Sequence, residues 1–460
     1  MTTITEPTRE IPVIGEYDIV VAGGGPGGLP AAIAAARSGA KVLLIERYGF
    51  LGGMATAGLI GPILAHTAHH SQEPTIGGIP KEICVRMAEI GGAVPWEDSL
   101  KSWGVSFYAE ALKYIADRVV EEAHISLRLH TMVVDAVREG DEIKALILES
   151  KSGREAVLGK VFVDATGDAD VAFRAGLTCT KGRKADGAMQ SLGSMFRIGR
   201  LPANLDEARK IANEKVAEAV ERGELVLYNT SLGHQGSTIV PGELTANITR
   251  FNGDATSAWD LTVGEVFVRK MTWDVVKFWR ENIPGLEDVL LIATATQIGI
   301  RETRQVVGDR IITGQDIVDG MRCEDSVARN SYWIDIHCPL GRVRNKTHLC
   351  CKECPNNPPC LMFEKFEGDL PGKLYPPDGG WCDIPYASII SQDARNLLTA
   401  GRCISADHQA MSALRVMGPC MAIGEAAGTA AAMAVEHGNN VRAFDVQKLR
   451  AKLTENGALV

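Results

Sequence analysis

The stretch YDIVVAGGGPGGLPAAIAAARSGAKVLLIE, residues 17–46, holds two apolar runs separated by a glycine-rich turn and an alanine-rich segment. Short apolar runs rich in β-branched residues are typical of buried parallel strands. The alanine-rich segment predicts a helix to about Ser38, and Gly39 ends it. These elements together predict a βαβ unit, the core of a doubly wound α/β fold.

The glycines of this stretch follow the spacing Gly23-x-Gly25-x-x-Gly28 between the first strand and the helix. Gly23 permits the tight turn, Gly25 lets the backbone approach a pyrophosphate, and Gly28 lets the helix and the strand pack closely. The helix N-terminus then offers free N–H groups and a partial positive charge to the phosphates. Glu46 ends the second strand, where a carboxylate can accept hydrogen bonds from ribose hydroxyls. The pattern therefore predicts a dinucleotide site.

Several later motifs extend this site along the chain. They are ERYGFLGGMATAG (46–58), VFVDATGDADVA (161–172), GIRETR (299–304), IDIH (334–337) and AGRCIS…RVM (400–417). With these motifs the chain resembles the FAD-dependent oxidoreductase family, whose FAD-binding fold is like that of glutathione reductase. The resemblance covers residues 17 to about 435.

The resemblance implies FAD as the cofactor, with the adenine near Met132–Val134. It also implies a closing helix after Gly418, whose positive end would stabilise the negative charge of the reduced flavin. The expected FAD-binding residues are Gly23, Gly25, Pro26, Gly28, Glu46, Arg47, Gly53, Met54, Val133, Ala165, Gly167, Asp168, Gly401, Arg402 and Gly418.

The expected fold class is α/β, a Rossmann-like FAD-binding domain carrying an inserted α+β substrate or cap domain. The FAD-binding domain would comprise residues 1–185 and 381–460, and the inserted domain residues 186–380. In the inserted domain the sequence predicts helices over 204–224 and 264–282, and strands at ELVLYN (224–229) and STIVP (237–241). No second GxGxxG follows a strand, so a dedicated NAD(P)H domain is not expected.

Three residues are the candidate catalytic groups: His408, Arg415 and Arg301. Histidine is the side chain whose ordinary pKa is nearest working pH, and arginine can hold a carboxylate through two hydrogen bonds. His408 could instead bond only to the backbone of its loop. Arg301, Glu302 and Arg304 form either an ion-pair clamp or an anion pocket facing the flavin. His337 is a further candidate site residue.

A cysteine-rich run, LCCKECPNNPPC, occupies residues 349–360. Cys351 and Cys354 have the spacing of a metal knuckle, and the prolines that follow disfavour the helix that a redox dithiol needs. With Cys360, and with Cys338, Cys350 or Cys382 as the fourth ligand, they could bind structural zinc or an iron–sulfur cluster. Free loop thiols are the alternative.

The composition limits the partners and the compartment. A net charge of −9 argues against nucleic acid as a partner. No apolar run is long enough to cross a membrane, and the N-terminus lacks the apolar core of a signal peptide. Eleven scattered cysteines suggest reduced thiols in the cytoplasm.

The expected function is an FAD-dependent oxidoreductase that transfers hydride or electrons between a small organic substrate and flavin, in a homo-oligomer. The alternatives are an electron-transfer flavoprotein subunit that serves a redox partner protein, and a flavin monooxygenase. A monooxygenase would require NAD(P)H to dock at the flavin, and the sequence carries no motif for that.

Overall fold

The computed structural model describes residues 2–5, 7–184, 187–232, 239–337 and 374–460. The strands in these ranges are β1 Val13–Ala22, β2 Val42–Ile45, β3 Ser126–Arg128, β4 Met132–Glu139, β5 Glu142–Ser150, β6 Gly153–Asp164, β7 Cys179–Lys181, β8 Phe196–Gly199, β9 Leu244–Ala246, β10 Leu290–Thr294, β11 Arg304–Val306, β12 Ser326–Asn330, β13 Cys382–Pro385 and β14 Leu397–Thr399. The helices are α1 Gly28–Arg37, α2 Gly78–Glu89, α3 Trp96–Ser99, α4 Ala109–Glu122, α5 Asp170–Arg174, α6 Asp206–Glu221, α7 Ala258–Asn282, α8 Gly314–Asp319, α9 His408–Leu414, α10 Met417–Glu436 and α11 Val446–Glu455.

The main sheet has seven strands in the order β3-β2-β1-β6-β5-β4, and β14 pairs with the end of β6. Strands β3, β2, β1, β6 and β14 run parallel, whereas β5 and β4 return antiparallel as a hairpin. The apolar end of β1, residues 19–22, is fully buried between its two parallel neighbours. This arrangement confirms the predicted α/β class, and β1, α1 and β2 form the predicted βαβ unit.

Helix α10 lies against α1 at unusually short range. A Cβ added at Gly424 would lie 2.0 Å from the carbonyl oxygen of Gly27, and one added at Gly428 would lie 2.0 Å from that of Ala31. Only glycine permits this approach of two helix backbones. The close packing brings the C-terminal helix to the glycine turn at the start of the chain.

A second hydrophobic core lies between residues 192 and 300. Helices α6 and α7 pack there on the antiparallel sheet β10-β8-β9, around the buried side chain of Trp279. Apart from Tyr332, the buried apolar residues between 301 and 337 belong instead to the two cores that pack on the main sheet. Within the predicted 186–380 region, the separate core therefore extends only to about residue 300.

Most of the secondary structure predicted in this region is confirmed, with one error. Helices α6 and α7 cover the predicted helical stretches. Residues 224–229 are not a strand, because the N–H groups of Glu224 and Leu225 donate to Ala219 of α6 and those of Tyr228 and Asn229 both donate to Ile248, which is not a ladder. Its alternating apolar residues are explained by Leu225 and Leu227, which are buried in the second core. The predicted strand at 237–241 lies partly outside the described residues.

No helix in the described ranges combines the length and the apolar character needed to cross a membrane.

Candidate active site

One cavity extends from the glycine turn before α1 to a cluster of arginines near the start of α10. The nucleotide end is the part lined by Gly23, Gly25, Pro26, Gly27, Glu46, Arg47, Met132, Val133, Ala165, Gly167, Gly401 and Arg402. The arginine end is the part lined by Gly193, Met195, Asn247, Ile300, Arg301, Tyr332, Asp335, His337, Arg415, Val416, Met417 and Cys420. Gly53 and Met54 also line the cavity.

The glycine turn owes its shape to positions that cannot carry a side chain. Gly23 has a φ of +98°, and a Cβ at Gly28 would lie 1.7 Å from the carbonyl oxygen of Gly23. At Gly25 the nearest atom to an added Cβ is 3.6 Å away, and Gly25 itself lines the cavity. Gly28 therefore serves packing within the protein, while Gly25 keeps the cavity wall at backbone level.

Glu46 is buried and holds the turn in place. Its carboxylate accepts hydrogen bonds from the backbone N–H of Gly24 (2.8 Å) and from that of Tyr48 (3.0 Å). Each carboxylate oxygen has capacity for a further bond. Glu46 can therefore bind a ribose hydroxyl, as predicted, and it also stabilises the protein around the site.

Arg402 carries a positive charge to the nucleotide end. Its Nη2 donates to Asp168 at 3.1 Å, and its buried Nη1 has no hydrogen-bond partner among the described residues. Asp168 also accepts from the hydroxyl of Thr303 at 2.8 Å and does not line the cavity. Its carboxylate orients Arg402, whose Nη1 is suited to an anion such as a pyrophosphate.

The nucleotide end fits FAD. The glycine turn keeps the cavity wall at backbone level, α1 presents its N-terminus with no side-chain cap from the described residues, and Arg402 supplies a cation. Glu46 offers the acceptor expected for the ribose, and the neighbouring strand β4 begins at the cavity with Met132 and Val133. These are the groups through which the chain would hold FAD.

Asp335 is the centre of the arginine end. Its backbone oxygen and its Oδ2 accept from Arg415 Nη2 at 3.0 and 3.3 Å, and Oδ2 is 3.2 Å from Nε2 of His337. Burial raises the pKa of Asp335, but His337, Arg415 and Arg301 outweigh burial and hold that pKa below its ordinary value. Asp335 is therefore an ionised carboxylate.

His337 is buried and neutral. Burial, followed by the charge of Arg301, lowers its pKa well below the ordinary value. Its Nδ1 is 3.4 Å from Nη2 of Arg250, and its Nε2 faces Asp335. Because arginine only donates and the carboxylate only accepts, the proton is on Nε2 and the lone pair is on Nδ1.

Tyr332 lines the same end of the cavity. Burial raises the pKa of Tyr332 well above its ordinary value, and Asp335 adds to this shift. The phenol therefore remains protonated and can donate a hydrogen bond.

The N-terminus of α10 closes the arginine end. Val416, Met417 and Cys420 line the cavity there, and the helix takes no side-chain cap from the described residues. The free N–H groups of the first turn carry a partial positive charge. This matches the closing helix expected from the sequence. Gly418 itself does not line the cavity. It serves packing instead, since a Cβ there would lie 2.4 Å from the carbonyl oxygen of Leu64.

The three candidate catalytic residues do not lie together. Arg301 and Arg415 line the arginine end, but His408 does not line the cavity. His408 begins helix α9, where the sequence predicts a loop, and its Nδ1 is 2.7 Å from the buried carboxylate of Glu302. The geometry therefore gives no support to a catalytic role for His408, which stays a prediction. Arg304 forms an ion pair with Asp170 at 3.0 Å and donates to the backbone oxygen of Asp168, while Glu302 pairs with His408, so the predicted clamp of Arg301, Glu302 and Arg304 stays a prediction.

The predicted metal ligands Cys338, Cys351, Cys354 and Cys360 lie outside the described residues. The zinc or iron–sulfur site therefore stays a prediction.

Sequence reasoning missed Tyr332, Asp335 and Asn247, which line the arginine end, and Arg250, which faces His337 from behind it. Asp335 lies within the quoted IDIH motif, two residues before His337, so the motif carried a usable signal. Asn247 and Arg250 come from the region of the second core and show no local motif.

A family model described as FAD dependent oxidoreductase matches residues 18–453. A dihydrolipoyl dehydrogenase from Trypanosoma brucei brucei is 53% identical over 45 residues, which is 10% of this chain and 9% of that protein. A solved geranylgeranyl bacteriochlorophyll reductase-like structure from Thermoplasma acidophilum is 13% identical, with a TM-score of 0.42; the match covers 96% of this chain and 84% of that one. A flavin-dependent brominase is 12% identical, with a TM-score of 0.45, and its match covers 96% and 83%. The family model thus covers nearly the whole chain.

Proposed function

The chain belongs to the family of FAD-dependent oxidoreductases, and from this premise we propose that it transfers hydride between a small organic substrate and bound FAD at the arginine end. One observation carries the proposal: a single cavity joins the nucleotide end to the cluster of Arg301, Asp335, His337 and Arg415. A substrate seated in that cluster would occupy the same cavity as the cofactor.

FAD, when bound, supplies the capacity to accept or donate hydride. The chain's own part is to hold the cofactor, to orient the substrate and to handle a proton. Arg402 and the glycine turn would hold the cofactor, while Arg301 and Arg415 would orient the substrate from the cavity wall.

His337 is the residue we assign to proton transfer. It is neutral and lines the cavity, and within the described residues the lone pair on its Nδ1 has one contact, at 3.4 Å to Nη2 of Arg250. Nδ1 can therefore take a proton from the substrate as hydride leaves it. The carboxylate of Asp335, 3.2 Å from Nε2, would stabilise the imidazolium that forms.

The architecture of the smaller sheets supports the substrate, rather than NAD(P)H, as the hydride donor. In the described ranges these sheets have two or three strands and are antiparallel. A dinucleotide-binding unit requires parallel strands around a crossover helix. An electron-transfer subunit and a flavin monooxygenase remain the alternatives, since either could use the same FAD site.

A test begins with the purified protein. Denaturation should release FAD in an amount about equal to the protein, and a library of small alcohols, amines and acids should include compounds that bleach the flavin anaerobically without NAD(P)H. The His337→Asn variant should retain FAD and be bleached more slowly. A protein without FAD would refute the proposal. Reduction only by NAD(P)H, or only by a partner protein, would instead favour one of the alternatives.

The predicted cytoplasmic location and homo-oligomer remain proposals. All six described cysteines are free thiols, which supports a reducing compartment.

A further inference from the structure

The arginine end contains more positive charge than its own residues neutralise. Three guanidinium groups, those of Arg250, Arg301 and Arg415, lie around one carboxylate, that of Asp335. Among the described residues lining this end, Asp335 is the sole carboxylate. His337 is neutral, so two positive charges are left without a counter-ion.

Burial first, and then the neighbouring positive charges, disfavour the charged form of these arginines. Burial, followed by the charges of Arg250 and Arg415, lowers the pKa of Arg301 well below its ordinary value. Burial also lowers the pKa of Arg250 to about 10. Uncompensated buried charges are costly, and they are retained in proteins where a ligand of opposite charge neutralises them.

The hydrogen bonding of the cluster is incomplete as well. Arg250 is 3% exposed, and its Nε has no partner among the described residues; the same holds for the Nε of Arg415. Arg250 lies one layer behind the wall, where it donates to Asn247 at 2.7 Å and faces His337. Arg301 and Arg415 line the cavity directly. Arg250 therefore adds positive charge from behind the cavity wall, while Arg301 and Arg415 can contact a bound ligand directly.

We propose that the substrate carries a carboxylate group that binds between Arg301 and Arg415, with Arg250 adding positive charge from behind. The planar fork of arginine matches the two oxygens of a carboxylate. The rest of this end includes Met195, Ile300 and Tyr332, which suit an apolar or aromatic body attached to that group. This inference rests on the proposed function, since it names the substrate class of the same site.

Isothermal titration calorimetry of the purified holoenzyme with benzoate tests the inference, with benzamide as the neutral probe of the same shape. Both titrations are made at constant ionic strength. Benzoate should bind and benzamide should bind at least about tenfold more weakly, because a hydrogen-bonded charge pair contributes that much to affinity. The variants Arg301→Gln and Arg415→Gln should each weaken benzoate binding by about tenfold or more.

Arg329→Gln is the matched control. Arg329 is also partly buried, where it donates to the backbone oxygen of Val460 and lies over the ring of Trp381, and it does not line the cavity. This variant should bind benzoate as the parent does. A loss in Arg329→Gln equal to that in the two cavity variants would overturn the inference, because the loss would then report a general change in the protein.

Three further results would also overturn the inference. The first is equal binding of benzoate and benzamide. The second is binding of inorganic phosphate without benzoate. The third is unchanged benzoate binding in Arg301→Gln and Arg415→Gln together with a shifted flavin potential, which would mean that these arginines serve the flavin. A protein that lacks FAD would refute the proposed function. The calorimetric titration with benzoate does not require flavin, so it would still decide this inference.

Discussion

The two ends of the cavity are built in different ways. The nucleotide end is lined by five glycines, three of them in the βαβ unit, and by a few side chains such as Glu46 and Arg402. The arginine end has one glycine in its lining and is formed mostly by side chains, charged and apolar, that come together from segments far apart in the chain. A surface made of backbone can bind a phosphate-linked cofactor common to many enzymes, whereas the side chains at the other end can be exchanged without altering the fold.

The largest expected effect is a difference in stability between alanine variants of Gly28 and Gly25, two glycines of the turn. Gly28→Ala should lower the free energy of unfolding by about 3 kcal/mol, because its Cβ would overlap the carbonyl oxygen of Gly23. Gly25→Ala should leave the stability of the apoprotein within about 0.5 kcal/mol and lower FAD occupancy, because its Cβ meets the cavity rather than the protein. Chemical denaturation of the apoprotein and the FAD content of each variant measure the two effects. Equal losses of stability would show that the turn acts as one packing unit.

This pair also shows how far the sequence predicts the fold and the site. The spacing of Gly23 and Gly28 predicts the turn, because the positive φ of Gly23 and the contact of Gly28 with the carbonyl oxygen of Gly23 are demands that arise within a few residues of sequence. The sequence could not predict the neighbours of Asp335, because Arg250 reaches it only through the packing of the second core against the main sheet. Contacts of that kind depend on tertiary structure and leave no local pattern.

The two histidines provide the next comparison, since the sequence favoured His408 and the geometry favours His337. His337→Asn should slow anaerobic reduction by substrate about 100-fold, equivalent to about 2.7 kcal/mol, with FAD content retained. His408→Ala should instead lower the free energy of unfolding by about 2 kcal/mol, because the buried carboxylate of Glu302 loses the imidazole and keeps the N–H of Gln190. Rapid-mixing kinetics and denaturation distinguish the two. A rate loss in His408→Ala with unchanged stability would restore the prediction from sequence.

Glu425 is a buried acid that lines neither end of the cavity, so its replacement should change stability without changing ligand binding. Glu425 in α10 is 2% exposed, and burial raises its pKa to about 8 although Ile79 N–H donates to it. The folded state keeps this proton while the unfolded state releases it near its ordinary pKa. The contribution of Glu425 to stability is therefore lost as the pH rises from about 4.5 to about 8.

Replacing this acid should remove that pH dependence. Relative to the parent, Glu425→Gln should gain about 2.5 kcal/mol in unfolding free energy between pH 5 and pH 7, because its amide does not ionise. FAD content and benzoate affinity should not change, since Glu425 lines neither end of the cavity. Denaturation of both proteins at the two pH values is the measurement. A constant difference between them would mean that Glu425 is ionised in the folded protein.

The smallest expected effect concerns Glu46, which at the nucleotide end can both bind the cofactor and stabilise the glycine turn. The sequence assigns Glu46 to a ribose hydroxyl, but its carboxylate also accepts from the N–H groups of Gly24 and Tyr48. Glu46→Gln keeps one oxygen for these groups and loses the charge, so FAD affinity should fall about fivefold, or about 1 kcal/mol, with a small change in stability. Glu46→Ala removes both acceptors and should destabilise the apoprotein as well. Fluorescence titration of each apoprotein with FAD, beside its denaturation curve, separates binding from stability. If the Gln variant loses stability but binds FAD as tightly as the parent, Glu46 acts only through the turn.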